Sequence, residues 1–333
     1  MFSGHLFGCM PTSRIAFIDT AKTICIFLMV VGHWTDNHLL ITYIYSFHMP
    51  ALFIISGYLF KPHAWYKSVL SFVIPIIFFS LINLLVQLLI GEITFETIIF
   101  PQIFFRIIHY RYGLGESLFI GDWFLYALLG LRFLFGDISS LKVMRKFYIV
   151  ISVVCVLYMT FESDLVSIDT IFRGYLIGRM IPSLIFFCTG FLLLDMNWNP
   201  KRVSKLYVIP LTLLFLFLPL FNGNCGIVTN DYGRSYPIFV ANAIMSSLLL
   251  FILSTKIPTT KFTQTISIGT IVVLGTHIPI LHILDHLLPN IISFTFPFIT
   301  IVVCYYIIIL CEKYCPILLG KWRNIPFTKE CCS

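Results

Sequence analysis

The sequence predicts an all-α, polytopic membrane protein with about ten transmembrane helices. Hydrophobic residues make up 59% of the 333-residue chain and charged residues only 11%, against about 25% charged in ordinary soluble domains. Apolar runs of about 17–25 residues, the length that crosses a bilayer, recur from one end of the chain to the other. The basic residues gather in the short connections between those runs, and they do so on alternate connections.

The runs fall at 15–34, 39–60, 68–90, 117–136, 147–161, 174–194, 206–221, 236–253, 267–288 and 291–311. An even count places both termini on one side. With the N-terminus cytoplasmic, sixteen Lys and Arg residues fall on the inner side and five, Arg106, Arg111, Arg173, Arg179 and Arg234, on the outer side. The positive-inside rule then predicts a multi-pass protein of the inner (plasma) membrane with both termini cytoplasmic. A net charge of +7 would point to nucleic acid in a soluble protein; here topology accounts for it, and no nucleic-acid partner is expected. Met1 to Ser13 lacks the continuous apolar core of a signal peptide. Residues 1–333 are expected to form a single integral membrane domain with no appended soluble domain.

The first run carries Asp19, Lys22 and His33 at depths where ionisable groups are costly, which makes it a functional-site hypothesis by default. Lys22 and His33 are eleven residues apart, so at ~100° per residue they fall within about 20° of one another on the helix. Asp19 lies about 40° from His33 and is placed to pair with Lys22 at i, i+3. The expectation is a polar stripe about 16 Å long from Lys22 to His33, too long for the two to touch directly. An alternative use of such a stripe is to fix helix packing.

The second run holds His48 before Met49 and Pro50. Proline removes a backbone donor and kinks a helix, leaving carbonyls for a polar neighbour to satisfy; His48 is either that neighbour or an imidazole facing His33. Ser56 and Gly57 further on read as a close-packing pair. The fourth run opens with Asp122-Trp123-Phe124-Leu125, and the sixth contains Pro182 and Phe186-Phe187-Cys188-Thr189-Gly190-Phe191. The ninth runs from Ser267-Ile268-Gly269-Thr270 to Thr276-His277. Between the third and fourth runs, the segment Phe104 to Tyr110 mixes aromatic residues with Arg106 and reads either as lying in the outer interface or as a re-entrant piece covering a cavity. The outer arginines suit either pairing with Glu116, Glu162, Asp164 or Asp169, or an anionic group held by the guanidinium fork.

The ten cysteines form no zinc pattern, and Cys25, Cys155, Cys188 and Cys304 read as small core residues. Cys331-Cys332-Ser333 is not a prenylation signal. His282 and His286 sit at i, i+4 around Asp285 at the end of the ninth run, where solvated or paired end residues are expected and no metal. Gly113-Leu114-Gly115 lacks the third glycine of a dinucleotide fingerprint and reads as a turn.

Lys22 with ten residues before His33, Asp19 just upstream, Phe47-His48-Met49-Pro50 and Ser56-Gly57-Tyr58 together resemble the opening signature of the acyltransferase-3 family. These are integral membrane enzymes that acylate sugars and other acceptors. The Trp-Phe-Leu segment, the Phe-rich run ending at Gly190, and the Ile-Gly segment followed by His277 resemble its later, weaker signatures. Thr270-Ile271 departs from the more polar residues often found after that glycine. The resemblance implies a membrane-bound O-acyltransferase, most simply an O-acetyltransferase. Its donor would be acetyl-CoA, with no bound cofactor and no metal. Its acceptor would be a hydroxyl of a cell-surface glycan or a lipid-linked sugar precursor, with membrane lipid around it. His33 would act as general base, since an unperturbed imidazole titrates near neutrality. Asp19 and His48 would be further catalytic residues, and Arg14, Lys22, Trp123 and His277 would contact donor or substrate. The rival class is a proton-coupled secondary transporter, in which intramembrane Asp, Lys and His relay protons. The chain shows no paired halves with matching broken helices, as many such carriers have.

Overall fold

A computed structural model describes residues 14–61, 65–94, 118–119, 121–136, 141–161, 176–288 and 293–321. Twelve α-helices lie among the described residues, with no strand and one isolated bridge, Gly226 to Asp231. They are α1 (Ala16–Gly32), α2 (His38–Tyr45), α3 (His48–Tyr58), α4 (Trp65–Leu89), α5 (Asp122–Phe135), α6 (Leu141–Phe161), α7 (Leu176–Asp195), α8 (Lys205–Asn222), α9 (Tyr236–Ser254), α10 (Lys261–Ile268), α11 (Thr270–Leu287) and α12 (Phe296–Tyr314). The interface segment Phe104–Tyr110, Arg106, Arg111, Arg173 and the acids expected to pair with them, Gly113-Leu114-Gly115 and Cys331-Cys332 lie outside the described residues.

By length and composition, six helices are able to cross a membrane: His38–Tyr58 taken as one, Tyr66–Leu89, Lys205–Asn222, Tyr236–Ser254, Thr270–Leu287 and Ser293–Tyr314. The structure therefore supports six of the expected ten spans on that measure. The runs at 15–34, 117–136, 147–161 and 174–194 form helices too, but α1 and α5 are short at 17 and 14 residues.

Two expected spans are broken rather than continuous. The second divides at Ser46 and Phe47, where Phe47 takes φ −149° and ψ −23° and leaves the helical region. The break precedes Pro50 by three residues, so α3 starts with the proline in its first turn, where the missing N–H costs nothing. The ninth divides at Gly269, whose φ of −88° and ψ of 22° end α10 and start α11. A Cβ at Gly269 would overlap the Ile308 side chain of α12.

The helices pack around α3, which buries nine of its eleven residues. Its closest neighbour is α7, and the two cross at glycines. A Cβ on Gly57 would overlap the Phe187 carbonyl oxygen, and one on Gly190 the Ile54 carbonyl oxygen. Small residues thus let the two backbones meet, as membrane helices lacking a hydrophobic drive require. Phe60, Phe135, Phe187 and Phe191 fill the space beside the crossing, with Phe135 stacked on Phe187 at 5.8 Å between ring centres. Gly190→Ala is therefore expected to lower stability by about 1–3 kcal/mol, the usual cost of overpacking. An unchanged thermal midpoint in detergent would show that the helices do not meet at this pair.

At the periphery α8 turns Leu206, Ile209, Leu213, Phe217 and Leu220 outward. This is a lipid-facing stripe, and the helix touches mainly α9. The connection from α8 to α9 is knotted by Asn222. Its amide donates to the Tyr232 carbonyl at 2.8 Å, its side-chain oxygen accepts from Ser235 N–H at 3.1 Å, and its carbonyl accepts from Arg234 N–H at 2.8 Å. Arg179 of α7 is buried and donates to the Val228 carbonyl in this connection at 3.1 and 3.3 Å.

Candidate functional site

The face of α1 that the residue spacing marks as polar lies against the broken helix α10–α11. At one end of that face, Asp19 is buried and accepts both arms of Arg14, Nε at 3.0 Å and Nη2 at 2.8 Å. Its Oδ1 also accepts from Ser267 Oγ at 2.7 Å. The pairing expected between Asp19 and Lys22 is not what forms. Lys22 Nζ instead donates to the Ser267 carbonyl at 2.8 Å. The physical reason is the break at Gly269, since it ends α10 and leaves its last carbonyls without intrahelical donors. A lysine ammonium satisfies such a carbonyl and sits favourably at the negative end of the helix. Thr270 Oγ1 shares the same carbonyl at 3.0 Å, and Thr23 Oγ1 donates to the Thr263 carbonyl at 2.8 Å. Arg14 Nη2 adds a bond to the Gln264 carbonyl at 3.1 Å. Asp19, Lys22 and Thr23 thus clamp α1 to α10.

At the other end of the face, three histidines gather. His33 caps the C-terminus of α1; its ring lies 5.2 Å from that of His277 and 6.3 Å from that of Tyr45. Tyr45 stands 5.2 Å from His48, and its hydroxyl donates to the Gly32 carbonyl at 3.1 Å. His33 has close protein neighbours yet remains exposed. No hydrogen bond holds its ring nitrogens among the described residues.

His48 and His277 are the opposite case, each buried and each tied to backbone. His48 Nδ1 lies 2.7 Å from the Ile44 carbonyl, which the break at Ser46 and Phe47 has exposed. The imidazole therefore does satisfy a freed carbonyl, as one of the two sequence readings held, and its Nε2 remains for other use. His277 Nδ1 lies 2.9 Å from both the Val273 and the Leu274 carbonyls. A carbonyl only accepts, so Nδ1 carries the proton in both rings and Nε2 is the lone-pair nitrogen when the ring is neutral. His277 Nε2 is buried and has no partner among the described residues.

Trp123 is not brought onto the histidines: its ring contacts are Phe53 of α3 and Phe124. The turn that precedes it does approach, because Gly121 packs on Leu274, whose carbonyl holds His277. Asp122, beside Trp123, is buried. Arg14 and Lys22 sit at the far end of α1 from His33, and their donors are committed to the clamp on Asp19 and Ser267. His282 pairs with Glu92 at 3.0 Å, both well exposed, in keeping with the expected role of end residues. Cys225, in the α8–α9 connection, has its thiol pushed up to about 12, first by burial and then by the Asp231 charge. It offers no thiolate at neutral pH.

A comparison with family models bears on this geometry: the model described as an acyltransferase domain matches residues 15–311. The chain belongs to the acyltransferase-3 family. No curated protein and no solved structure matches it. As an acyltransferase-3 protein it is a transferase of the membrane, and the matched span takes in both ends of the α1 stripe. Sequence reasoning missed Tyr45 in this member of the family, although it sits three residues before His48, one turn apart, which was a usable signal. Ser267 was singled out only as the start of the ninth run, and its bonds to Asp19 and Lys22 had no signal, since they follow from the break after it.

Proposed function

We propose that the protein transfers an acetyl group from acetyl-CoA to a hydroxyl of a cell-surface glycan or its lipid-linked precursor. The observation that carries this reading is His33, an exposed imidazole whose nitrogens hold no hydrogen bond among the described residues, beside two buried, backbone-anchored histidines. In the proposed step, His33 takes the hydroxyl proton while the hydroxyl oxygen bonds to the thioester carbon. The C–S bond then breaks, and the leaving CoA sulfur takes the proton back from the imidazolium. Tyr45, anchored on Gly32, limits how the His33 ring turns. His277 Nε2, which has a lone pair and no partner among the described residues, would accept from the incoming hydroxyl or from His33 itself.

In this reading the clamp of Arg14, Asp19 and Lys22 holds α1 in register, so that His33 and His277 stay opposed. Trp123 supports α3 through Phe53 and so acts at a remove from substrate. The histidine end then faces outward in the inner membrane, both termini are cytoplasmic, and the donor enters from the clamp end.

Purified protein supplied with acetyl-labelled acetyl-CoA and a membrane glycolipid extract should yield an acetylated product that mild alkali cleaves. Solute-coupled proton flux in proteoliposomes, with no label transferred, would replace this reading with the carrier.

A further inference from the structure

Arg132 lies in the last turn of α5, half-buried between the rings of Phe60 and Phe72. Its guanidinium carbon is 5.9 Å from the first ring centre and 5.5 Å from the second. Both rings are themselves buried, at 8% and 6% exposure. The Nε atom is shut off from solvent and has no hydrogen-bond partner, and no carboxylate pairs with the side chain among the described residues. Arg14, in the α1 clamp, has by contrast found a carboxylate in Asp19. A fixed cation placed between two π faces and left without an anion departs from the rule that buried charges are paired.

Two further features locate the position. Tyr58, the last residue of α3, lies ten residues beyond His48, about 15 Å along the helix; it meets Phe17 at the start of α1, and Phe60 follows two residues later. Arg132 therefore stands at the clamp end of the bundle, away from the histidines. The neighbouring residues 59–72 supply Lys61 and Lys67 and no acid.

We propose that Arg132 is the centre of a binding site for a phosphate ester, with Phe60 and Phe72 as its walls. The planar fork matches two oxygens of one phosphate and keeps its charge when partly desolvated. The flanking rings hold the fork in place, so little side-chain freedom remains to be lost on binding. A phosphate ester reaches this end of the protein from two sources, the headgroup of an anionic phospholipid or a soluble carrier such as CoA. The inference does not rest on acetyl transfer, because a lipid phosphate would satisfy it in a protein of any activity.

The test uses the full-length protein in detergent and two pairs of probes. The dissociation constants of CoA and 3′-dephospho-CoA are measured by equilibrium binding, and retention of phosphatidylglycerol against phosphatidylcholine by native mass spectrometry. Wild type is compared with Arg132→Gln, Arg132→Lys and Asp137→Asn, the last because Asp137 is the nearest acid in the sequence. With at least one phosphate probe, Arg132→Gln should weaken binding at least about 10-fold, the worth of a charge-assisted bond. Arg132→Lys, which keeps the charge and the fold but not the fork, should weaken the same probe less. The probe that responds names the source. Wild-type affinity for both phosphate probes in both Arg132 variants would overturn the proposal. So would a loss of thermal stability common to Asp137→Asn and Arg132→Gln with no effect on either probe, since Arg132 would then be paired within the chain. Neither result bears on whether an acetylated product forms.

Discussion

His33→Ala is expected to leave a folded protein whose acyl transfer is at least ~10²-fold slower, the usual worth of a general base. Its backbone N–H caps α1, whereas the side chain makes no hydrogen bond among the described residues and is exposed. Truncating it therefore opens no closed cavity and strands no buried partner. Yield, thermal midpoint and donor affinity should stay near wild type while turnover collapses, and the gap between those readouts is the signature. His48→Ala makes the contrast, because it removes the side-chain donor on the Ile44 carbonyl at the α2–α3 break and leaves only the longer bond from Phe47 N–H, and it should lower the thermal midpoint as well. A well-folded His33→Ala protein that still acylates near the wild-type rate would remove His33 from the chemistry.

Asp19→Ala is expected to cost both stability and activity. The carboxylate takes two bonds from Arg14 and one from Ser267, and its own side chain is only 10% exposed. Its removal strands the guanidinium and the hydroxyl together. Breaking a buried pair costs roughly 3–5 kcal/mol, and the lower end applies here because Arg14, at 40% exposure, can turn part of its fork to water. The loss would loosen α10 against α1 and, through α11, the approach of His277 to His33. Thermal unfolding in detergent beside the transfer rate checks both halves. Arg14→Gln with Asp19→Asn, which removes both charges and keeps polar shapes, should recover much of the stability. A wild-type midpoint in Asp19→Ala alone would mean that the clamp does not hold these helices.

Much of the architecture was legible in the chain. Apolar length alone marked where helices run, because in a bilayer every backbone polar group must be satisfied within its segment. The 3.6-residue repeat placed Asp19, Lys22 and His33 on one face, and that face is the one turned to α10 and α11. The glycine at 57 read correctly as a contact. The count of membrane-crossing helices was less legible, because α1 and α5 are short and their expected runs extend beyond the helix ends.

By itself the sequence determined that this is a helical membrane protein of the acyltransferase-3 family, and that one helix carries its ionisable groups on a single face. Those conclusions rest on composition, period and local order of residues, which are properties of the chain taken segment by segment. The tertiary structure alone decided the partners. Lys22 looked like the mate of Asp19 because i, i+3 neighbours meet on any helix, yet the Ser267 carbonyl, freed by the break at Gly269 and 245 residues away in the numbering, competed successfully for its ammonium. Tyr45 came to His33 by donating to the Gly32 carbonyl at the end of α1, and His277 came because α11 packs there. The breaks at Ser46 and Gly269 expose backbone carbonyls that His48 and Lys22 satisfy, and the second of these partners is chosen by which helices meet there.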